Sequence, residues 1–495
     1  MQNKILKSLS ALLLLAMLVL AITPGIGQAS SRAPQLQEAE PNPPAAPVVS
    51  NPVFLPYVRD KGLSAPAVTS IMIGSEAWGT HDPVVVNKIT GANIKFNREA
   101  IFDWSKIEAK RTNPATYSWS QVNETGLKDQ SASGINVIAT VRFAPSWAQK
   151  YPPYACGPIA QSALDAFAEF MKAAVKRYSV APYNVKYWEL GNEPDIPRSA
   201  VASDSIFGCW GEESDQYFGG GYYAQMLEKV YPAIKSIDPQ AQVLVGGLVL
   251  DCDPDHPPAG KTCAGAKFLD GILINNGKYN GDDYFDMITF HGYPGYDGTL
   301  LGDVNHPNWA HRGGVVMGKV DYIRSVFAKY GANKPIYHSE GSLLCHEASP
   351  ICQPAPTSAF FDAQAEYLVL LYVRNWAAGL AGTSWYQFNG PGWRYSGLLD
   401  GNQNPKPVYY ALQFLSNELG GLNFTQQIYQ YSALTTYEFK NSSKRVWVMW
   451  APDDAPHTIS LPSGTTRVLD KLGNVIKTSN NQITVKRPIY IELTP

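Results

Sequence analysis

The sequence has few charged residues and no large excess of either sign. Asp, Glu, Lys and Arg make up 17% of the 495 residues, and the formal net charge is −2. A protein that binds nucleic acid or an anionic membrane surface usually carries a basic patch. The composition therefore predicts neither kind of partner.

Motifs that define several other enzyme classes are missing. The sequence has no G-x-S-x-G, which a serine hydrolase of the nucleophile-elbow type needs. It has no C-x-x-C, and its eight His are dispersed, which argues against a zinc site or a metal-dependent hydrolase. No Gly-rich phosphate-binding turn follows the first predicted strand. We therefore expect neither a metal nor a cofactor.

Residues 1–29 are typical of a secretory signal peptide. Lys4 and Lys7 precede an apolar run at 11–22 and a small-residue cleavage pattern. The run is shorter than the roughly 20 residues that a membrane-spanning helix needs, which disfavours a retained anchor. The Pro-rich stretch at 30–52 is typical of a flexible linker. We expect a secreted protein with no membrane attachment after cleavage.

Cysteine is scarce, but its number is even. Six cysteines in an exported chain indicate disulfides. Other pairings stay open, but proximity along the sequence favours Cys252–Cys263 and Cys345–Cys352, with Cys156–Cys209 as the remainder.

Residues 53–422 alternate short apolar runs with longer amphipathic stretches, which is typical of βα units around a parallel sheet. The clearest helices are predicted at 163–177, 222–237 and 359–376. The predicted strands are 69–73, 94–96, 136–141, 185–190, 242–245, 287–290, 335–338 and 382–386. Eight such units indicate an α/β fold, a (β/α)8 TIM barrel, with a doubly wound open sheet as the alternative.

Residues 423–495 have the alternating pattern of a small antiparallel β-sandwich domain. Its predicted strands are 434–439, 445–449, 459–461, 466–469 and 483–493. Tyr429, Tyr431 or Trp447 could bind carbohydrate there, but a domain that shields one side of the barrel is the simpler interpretation.

Two glutamates stand at the carboxyl ends of predicted strands, where barrel enzymes keep their active sites. Glu193 ends the fourth strand within Asn192-Glu193-Pro194, and Glu340 ends the seventh. Facing carboxylates at a separation of roughly 5 Å support retaining glycoside hydrolysis, with Glu193 as general acid/base and Glu340 as nucleophile. Asn192 is placed to bond a sugar 2-hydroxyl. Glu76 and Glu189 are rival carboxylates, of which Glu189 is expected to lie deeper in the barrel.

Six segments in order resemble clan A of the glycoside hydrolases, the retaining (β/α)8 group that includes families 5, 30, 39 and 79. The likeness covers residues 53–418, and the chain is similar to families 5 and 39. The segments are Phe96-Asn97-Arg98 with Trp104-Ser105-Lys106-Ile107-Glu108, Ala144-Pro145-Ser146-Trp147-Ala148, Asn192-Glu193-Pro194, His291-Gly292-Tyr293, Glu340 and Trp385.

The resemblance implies further roles. Arg98 would keep the nucleophile ionised, and Tyr293 would orient it. His291 would line the subsite of the sugar that is transferred, and Trp385 would form the floor on which that sugar stacks. Four other tryptophans are candidate sugar platforms or packing residues: Trp78, Trp147, Trp210 and Trp393.

The predicted protein is a secreted retaining glycosidase that cleaves O-glycosidic bonds of oligo- or polysaccharides. The alternative is a catalytically inactive barrel that binds carbohydrate. Either function makes a carbohydrate the partner, while the sugar, the linkage, the endo or exo mode and the oligomeric state stay open.

Overall fold

The computed structural model describes residues 71–346 and 350–495. The predicted signal peptide at 1–29, the linker at 30–52 and the first residues of the barrel domain, from 53, lie outside the described residues. Within the described part of the chain, no helix is both long and apolar enough to cross a bilayer.

Eight parallel strands form the barrel. Numbered β1 to β8 along the chain, they are Met72–Glu76, Phe96–Asp103, Asn136–Arg142, Tyr187–Leu190, Gln242–Val245, Ile288–Gly292, Ile336–Gly341 and Gly382–Trp385. Their order in the sheet is β5-β4-β3-β2-β1-β8-β7-β6. The sheet closes between β5 and β6, where the Val245 N–H donates to the Met287 carbonyl at 3.1 Å. The predicted TIM barrel is confirmed, and the open-sheet alternative is wrong.

Helices follow the strands and cover the outside of the barrel. Numbered α1 to α9, they are Pro83–Gly91, Trp104–Ile107, Glu124–Ala132, Leu164–Tyr178, Gly220–Lys235, Lys267–Ile274, Val315–Tyr330, Ser358–Ala377 and Pro407–Leu419. The predicted helices correspond to α4, α5 and α8. Helix α4 shows why they form: Phe167, Phe170 and Val175 recur at helical spacing and are buried.

The barrel interior changes character from one end to the other. Toward the amino ends of the strands it holds an apolar cluster of Met72, Ile138, Leu244, Met287, Tyr337 and Ala381. Toward the carboxyl ends it holds buried polar side chains, among them Arg98, Thr140, Glu189 and Thr289. The apolar end is a packed base, so chemistry is confined to the other end.

The C-terminal strands form two antiparallel sheets, which confirms the predicted small β-sandwich. Strands β9 to β15 are Asn423–Gln427, Thr435–Lys440, Arg445–Trp450, His457–Ser460, Thr465–Leu469, Gln482–Val485 and Ile489–Leu493. The first was not predicted, and the single strand predicted at 483–493 is two strands, because Pro488 lies between them and cannot donate to a ladder.

The two faces of the larger sheet have different partners. Val446, Val448 and Trp450 belong to the main core that includes the barrel, whereas Trp447 and Met449 face the second sheet. Residue alternation along β11 explains this division. Trp447 is 5% exposed, so it packs rather than offering a sugar platform.

Three disulfides connect the predicted cysteine pairs, Cys156–Cys209, Cys252–Cys263 and Cys345–Cys352. Every one of these cysteines lies in a segment between a barrel strand and the next α-helix. The disulfides therefore restrain the loops at the carboxyl rim, where a barrel enzyme has its site.

Candidate active site

The structure brings Glu193 and Glu340 together at the carboxyl rim. A carboxylate oxygen of one lies within 4.8 Å of a carboxylate oxygen of the other. Glu340 belongs to β7, and Glu193 follows β4 with a left-handed φ of 53°. Such a φ is uncommon outside glycine and must be held by its surroundings. Here the Glu193 N–H donates to the Gly247 carbonyl at 3.0 Å, which fixes the turn.

Arg98 is the centre of a buried hydrogen-bond network. Its side chain is 3% exposed. It donates to Glu76 at 2.5 Å, to Glu189 at 2.5 Å, to the Asn192 Oδ1 at 2.7 Å and also to Glu340. One guanidinium thus positions four side chains from three other strands, β1, β4 and β7.

Glu189 has the deeper position that its place on the strand predicted. It is fully buried, and its carboxylate accepts hydrogen bonds from Thr140 at 3.0 Å and Thr289 at 2.9 Å. Because donors surround it inside the barrel, it supports Arg98 and does not face the rim.

Glu76 is a site residue whose partner was not found from sequence. It lies opposite Arg98 in the register of β1 and β2, and it also accepts from the Trp78 Nε1–H at 3.2 Å. The pairing of these strands is the signal that would have identified it.

His291 lies between the two glutamates. Its Nδ1 is 2.8 Å from Glu193 Oε1, and its Nε2 is 3.3 Å from Glu340 Oε1. Burial and the positive charges of Arg98 and Lys319 lower the pKa of His291 well below its usual value. The ring is therefore neutral at physiological pH and donates from only one nitrogen.

Tyr293 approaches Glu340 from the side opposite Arg98. Its hydroxyl donates to Glu340 Oε2. Burial and the nearby carboxylates raise the pKa of Tyr293, so the phenol keeps its proton and acts as a donor.

The pKa values of the two glutamates are linked. Burial raises the pKa of Glu193 to about 7, against the opposing charges of Arg98 and Lys319. Burial and the Glu76 charge raise the pKa of Glu340, while Arg98 and the Tyr293 hydrogen bond lower it. Two acids this close share protons rather than ionising independently. Arg98 and Tyr293 donate to Glu340 and so favour its ionised form. The shared proton therefore resides on Glu193.

The aromatic floor differs from the prediction. Trp385 is 0% exposed, and its Nε1–H donates to the Ser396 carbonyl at 2.8 Å. A sugar cannot stack on a side chain without exposed surface, so the role predicted for Trp385 does not fit the structure. The next residue, Tyr386, is half-buried, and its ring lies 5.7 Å from that of Tyr293. Successive residues of an extended chain point to opposite sides, so Trp385 at the end of β8 and Tyr386 directly after it face different ways.

Two other predicted platforms stand at the mouth. Trp78 is 39% exposed with its ring 6.1 Å from Tyr386, and Trp393 is 48% exposed with its ring 5.5 Å from Tyr293. Two remaining candidates are packing residues: Trp147 lies against Trp104, and Trp210 lies against Tyr223.

Glu193, His291 and Glu340 are close enough to share a cation. However, both oxygens of Glu340 already accept hydrogen bonds, from Arg98 and Tyr293, and Arg98 supplies the positive charge that a metal would bring. The arrangement fits a pair of carboxyl groups that share a proton better than it fits a metal site. The absence of a metal stays a prediction.

No protein-family model and no curated protein match the sequence. Solved structures do share its fold. A family 39 glycoside hydrolase from the gut symbiont Bacteroides cellulosilyticus WH2 superposes with a TM-score of 0.63 at 17% identity, covering 87% of this chain and 82% of that chain.

Two further structures extend the likeness. A family 30 endoxylanase from Clostridium papyrosolvens C71 has a TM-score of 0.54 at 13% identity, over 88% of this chain and 98% of that chain. A family 39 β-xylosidase from Caulobacter crescentus has a TM-score of 0.54 at 16% identity, also over 88% and 98%. The resemblance to clan A glycoside hydrolases is confirmed for the fold.

Proposed function

We propose that the protein is a secreted retaining glycoside hydrolase that cleaves O-glycosidic bonds of oligo- or polysaccharides. The observation that carries this proposal is the approach of Glu193 and Glu340 to within 4.8 Å. Retaining enzymes hold their two carboxyl groups roughly 5 Å apart, whereas inverting enzymes leave roughly 6.5 Å or more for a water molecule.

In the first step Glu340 attacks the anomeric carbon and forms a glycosyl-enzyme ester, while the bond from that carbon to the glycosidic oxygen breaks and Glu193 protonates the departing oxygen. In the second step Glu193, now a carboxylate, removes a proton from water, and the resulting nucleophile breaks the bond to Glu340. Two inversions leave the anomeric configuration unchanged.

The surrounding side chains suit these roles. Arg98 and Tyr293 stabilise charge on Glu340, and a pKa of about 7 lets Glu193 carry its proton at neutral pH. The Oδ1 of Asn192 is held by Arg98, which leaves the amide NH2 to donate to a sugar 2-hydroxyl. His291 would line the subsite of the transferred sugar beside the acid/base.

Aromatic rings would hold the sugar by its apolar face. Tyr386, Trp78 and Trp393 offer partly exposed rings around the carboxylates, in place of the buried Trp385. Such stacking suits the C–H faces of a pyranose.

Secretion rests on the N-terminal sequence and on the three disulfides, since disulfides persist in oxidising compartments. We keep the predicted domains, with a signal peptide at 1–29, a linker at 30–52, a barrel at 53–422 and a β-sandwich at 423–495. A catalytically inactive carbohydrate-binding barrel is the weaker candidate, because such a protein has no need for two carboxylates whose oxygens lie within 4.8 Å of each other.

Azide rescue tests the proposal. A panel of activated aryl glycosides and polysaccharides is offered to the wild type, Glu193→Ala and Glu340→Ala, with Glu228→Ala as a control at a partly exposed carboxylate on the outer helix α5. Azide should restore Glu193→Ala with a glycosyl azide of retained configuration, and Glu340→Ala with the inverted one. Wild-type rates in both variants would refute the assignment, and a folded wild type inactive on every substrate would favour the binding protein.

A further inference from the structure

A second arginine, Arg142, enters the barrel mouth from the end of β3. Thr140, two residues earlier, bonds Glu189 inside the barrel. Because residues two apart on a strand face the same way, Arg142 also points inward, one layer nearer the rim. The charges of Glu76, Glu340 and Glu189 act on Arg142 through space, and these are the carboxylates that Arg98 binds.

Arg142 differs from Arg98 in having no anionic partner. Among residues 71–346 and 350–495, no carboxylate lies within ion-pair distance of it, and its one side-chain hydrogen bond goes from NH1 to the Ile206 carbonyl at 3.0 Å. Burial lowers the pKa of Arg142, and no direct ion pair with a described carboxylate opposes that effect. A guanidinium has five N–H donors, so most of its binding capacity is unused.

The side chain borders an open space. A small cavity of about 40 Å³ lies between the loop after β3 and the loop after β4, lined mostly by apolar residues and also by Arg142 and Asn192. The Cys156–Cys209 disulfide joins these two loops and holds the cavity walls at a fixed spacing. Asn192 belongs both to this cavity and to the Arg98 network, so the cavity adjoins the catalytic carboxylates.

We propose that Arg142 determines substrate specificity by binding an oxyanion on a sugar in the barrel mouth beside this cavity, either the carboxylate of a uronic acid or a sulfate ester. The proposal rests on the proposed glycosidase function and gives it a substrate class, acidic glycans. A planar guanidinium forms paired hydrogen bonds with both groups, and a desolvated charge gains most from an anionic ligand.

The competing explanation is that Arg142 only balances the charge of Glu76, Glu189 and Glu340 through space. The two explanations make different predictions. A through-space effect would alter the rate for every substrate equally, whereas a binding contact would alter only substrates that carry the anion.

The test compares glycans that differ only in the anionic group. Wild type, Arg142→Met and Arg142→Lys are assayed on glucuronic-acid-containing xylan, polygalacturonate and chondroitin sulfate, and on their carboxyl-reduced or desulfated forms. Arg177→Met is the control, since Arg177 is an exposed arginine on the outer helix α4. We expect Arg142→Met to lower kcat/KM about 10- to 100-fold on the preferred acidic glycan and less than about twofold on its neutral form. Arg142→Lys should retain part of the preference.

Equal losses on acidic and neutral forms, or a wild type that prefers neutral glycans, would overturn the inference while leaving the proposed function intact. Titration calorimetry with acidic oligosaccharides and the Glu340→Gln protein, with and without Arg142→Met, separates binding from turnover. If binding depends on Arg142 but the wild type turns over none of the substrates, the proposed glycosidase activity is refuted and the inference about Arg142 stands. No binding to any acidic oligosaccharide would overturn the inference.

Discussion

Two clusters of buried charge in the barrel domain differ in their balance. Asp303, in the loop after β6, accepts hydrogen bonds from Arg374, from the Tyr367 hydroxyl at 3.0 Å and from the Val316 N–H at 3.2 Å. In this cluster the negative charge of Asp303 is balanced by the positive charge of Arg374, and the other two donors to Asp303 are neutral. Although burial opposes ionisation, Arg374 brings the pKa of Asp303 below its ordinary value.

At the mouth, carboxylates outnumber the guanidinium that binds them. Arg98 contacts Glu76, Glu189 and Glu340, and Glu193 lies beside the same group. The pKa values of Glu193 and Glu340 are raised, so a proton is retained near neutral pH. A balanced buried pair serves folding, whereas an unbalanced one keeps a proton available for chemistry.

Removing the arginine from each cluster should change kcat to very different extents, and this is the largest expected effect. Arg98→Met removes a donor from the proposed nucleophile and should lower kcat on the order of 10²- to 10³-fold. Arg374→Met leaves Asp303 buried without its counter-ion and should lower the free energy of unfolding by about 3–5 kcal/mol, with kcat of the folded protein nearly unchanged.

The measurements are steady-state kinetics on an activated glycoside and urea denaturation followed by tryptophan fluorescence. Arg177→Met, at an exposed ion pair with Glu124, is the control and should change neither quantity much. If Arg374→Met reduced kcat as strongly as Arg98→Met, the distinction between a folding pair and a chemical cluster would fail.

The pH dependence of the rate sharpens the comparison. Glu193 must be protonated to act as the acid, so kcat/KM should fall above pH 7, approaching tenfold per pH unit. Glu340 must be ionised, so the rate should also fall on the acid side and the profile should be bell-shaped. In Glu193→Gln, assayed with a leaving group that needs no proton, the alkaline limb should disappear while the acid limb stays. An alkaline limb that persists in Glu193→Gln would assign it to another group.

Most of the fold and the two proposed catalytic residues could be predicted because their signals are local. Alternating apolar runs mark the strands, and the end of a strand marks the rim, so Glu193 and Glu340 were placed without knowing which strands pair. Their mutual distance could be predicted only as a consequence of the barrel.

The residues that were missed depend on pairing and facing. Glu76 can be assigned to the site only once the register of β1 and β2 is known, because that register places it opposite Arg98. To recognise Arg142 as a candidate, one must know that Thr140 faces inward and that no carboxylate among the described residues pairs with Arg142. The sequence shows neither. Trp385 and Tyr386 are adjacent, and the choice between them depends on how the chain turns after β8.

The smallest expected effect concerns Lys319, which links the mouth to the outer helices. It projects from α7, is 6% exposed, and donates to the His291 carbonyl at 2.8 Å. Its charge is one of the two that lower the pKa of Glu193 against the effect of burial. Burial lowers the pKa of Lys319 itself to about 8, so it is charged over the range in which Glu193 titrates.

Lys319→Met should therefore raise the pKa of Glu193 and move the alkaline limb to higher pH by less than about one unit. Lys319→Arg should restore the limb, and Lys329→Met, at a largely exposed lysine of the same helix that binds Asp270, should leave it in place. A purely structural role would lower the rate by the same factor at every pH, because Glu193 would then titrate as before. If the alkaline limb shifts while the maximum rate stays the same, Lys319 is a positioning residue that acts through the pKa of Glu193.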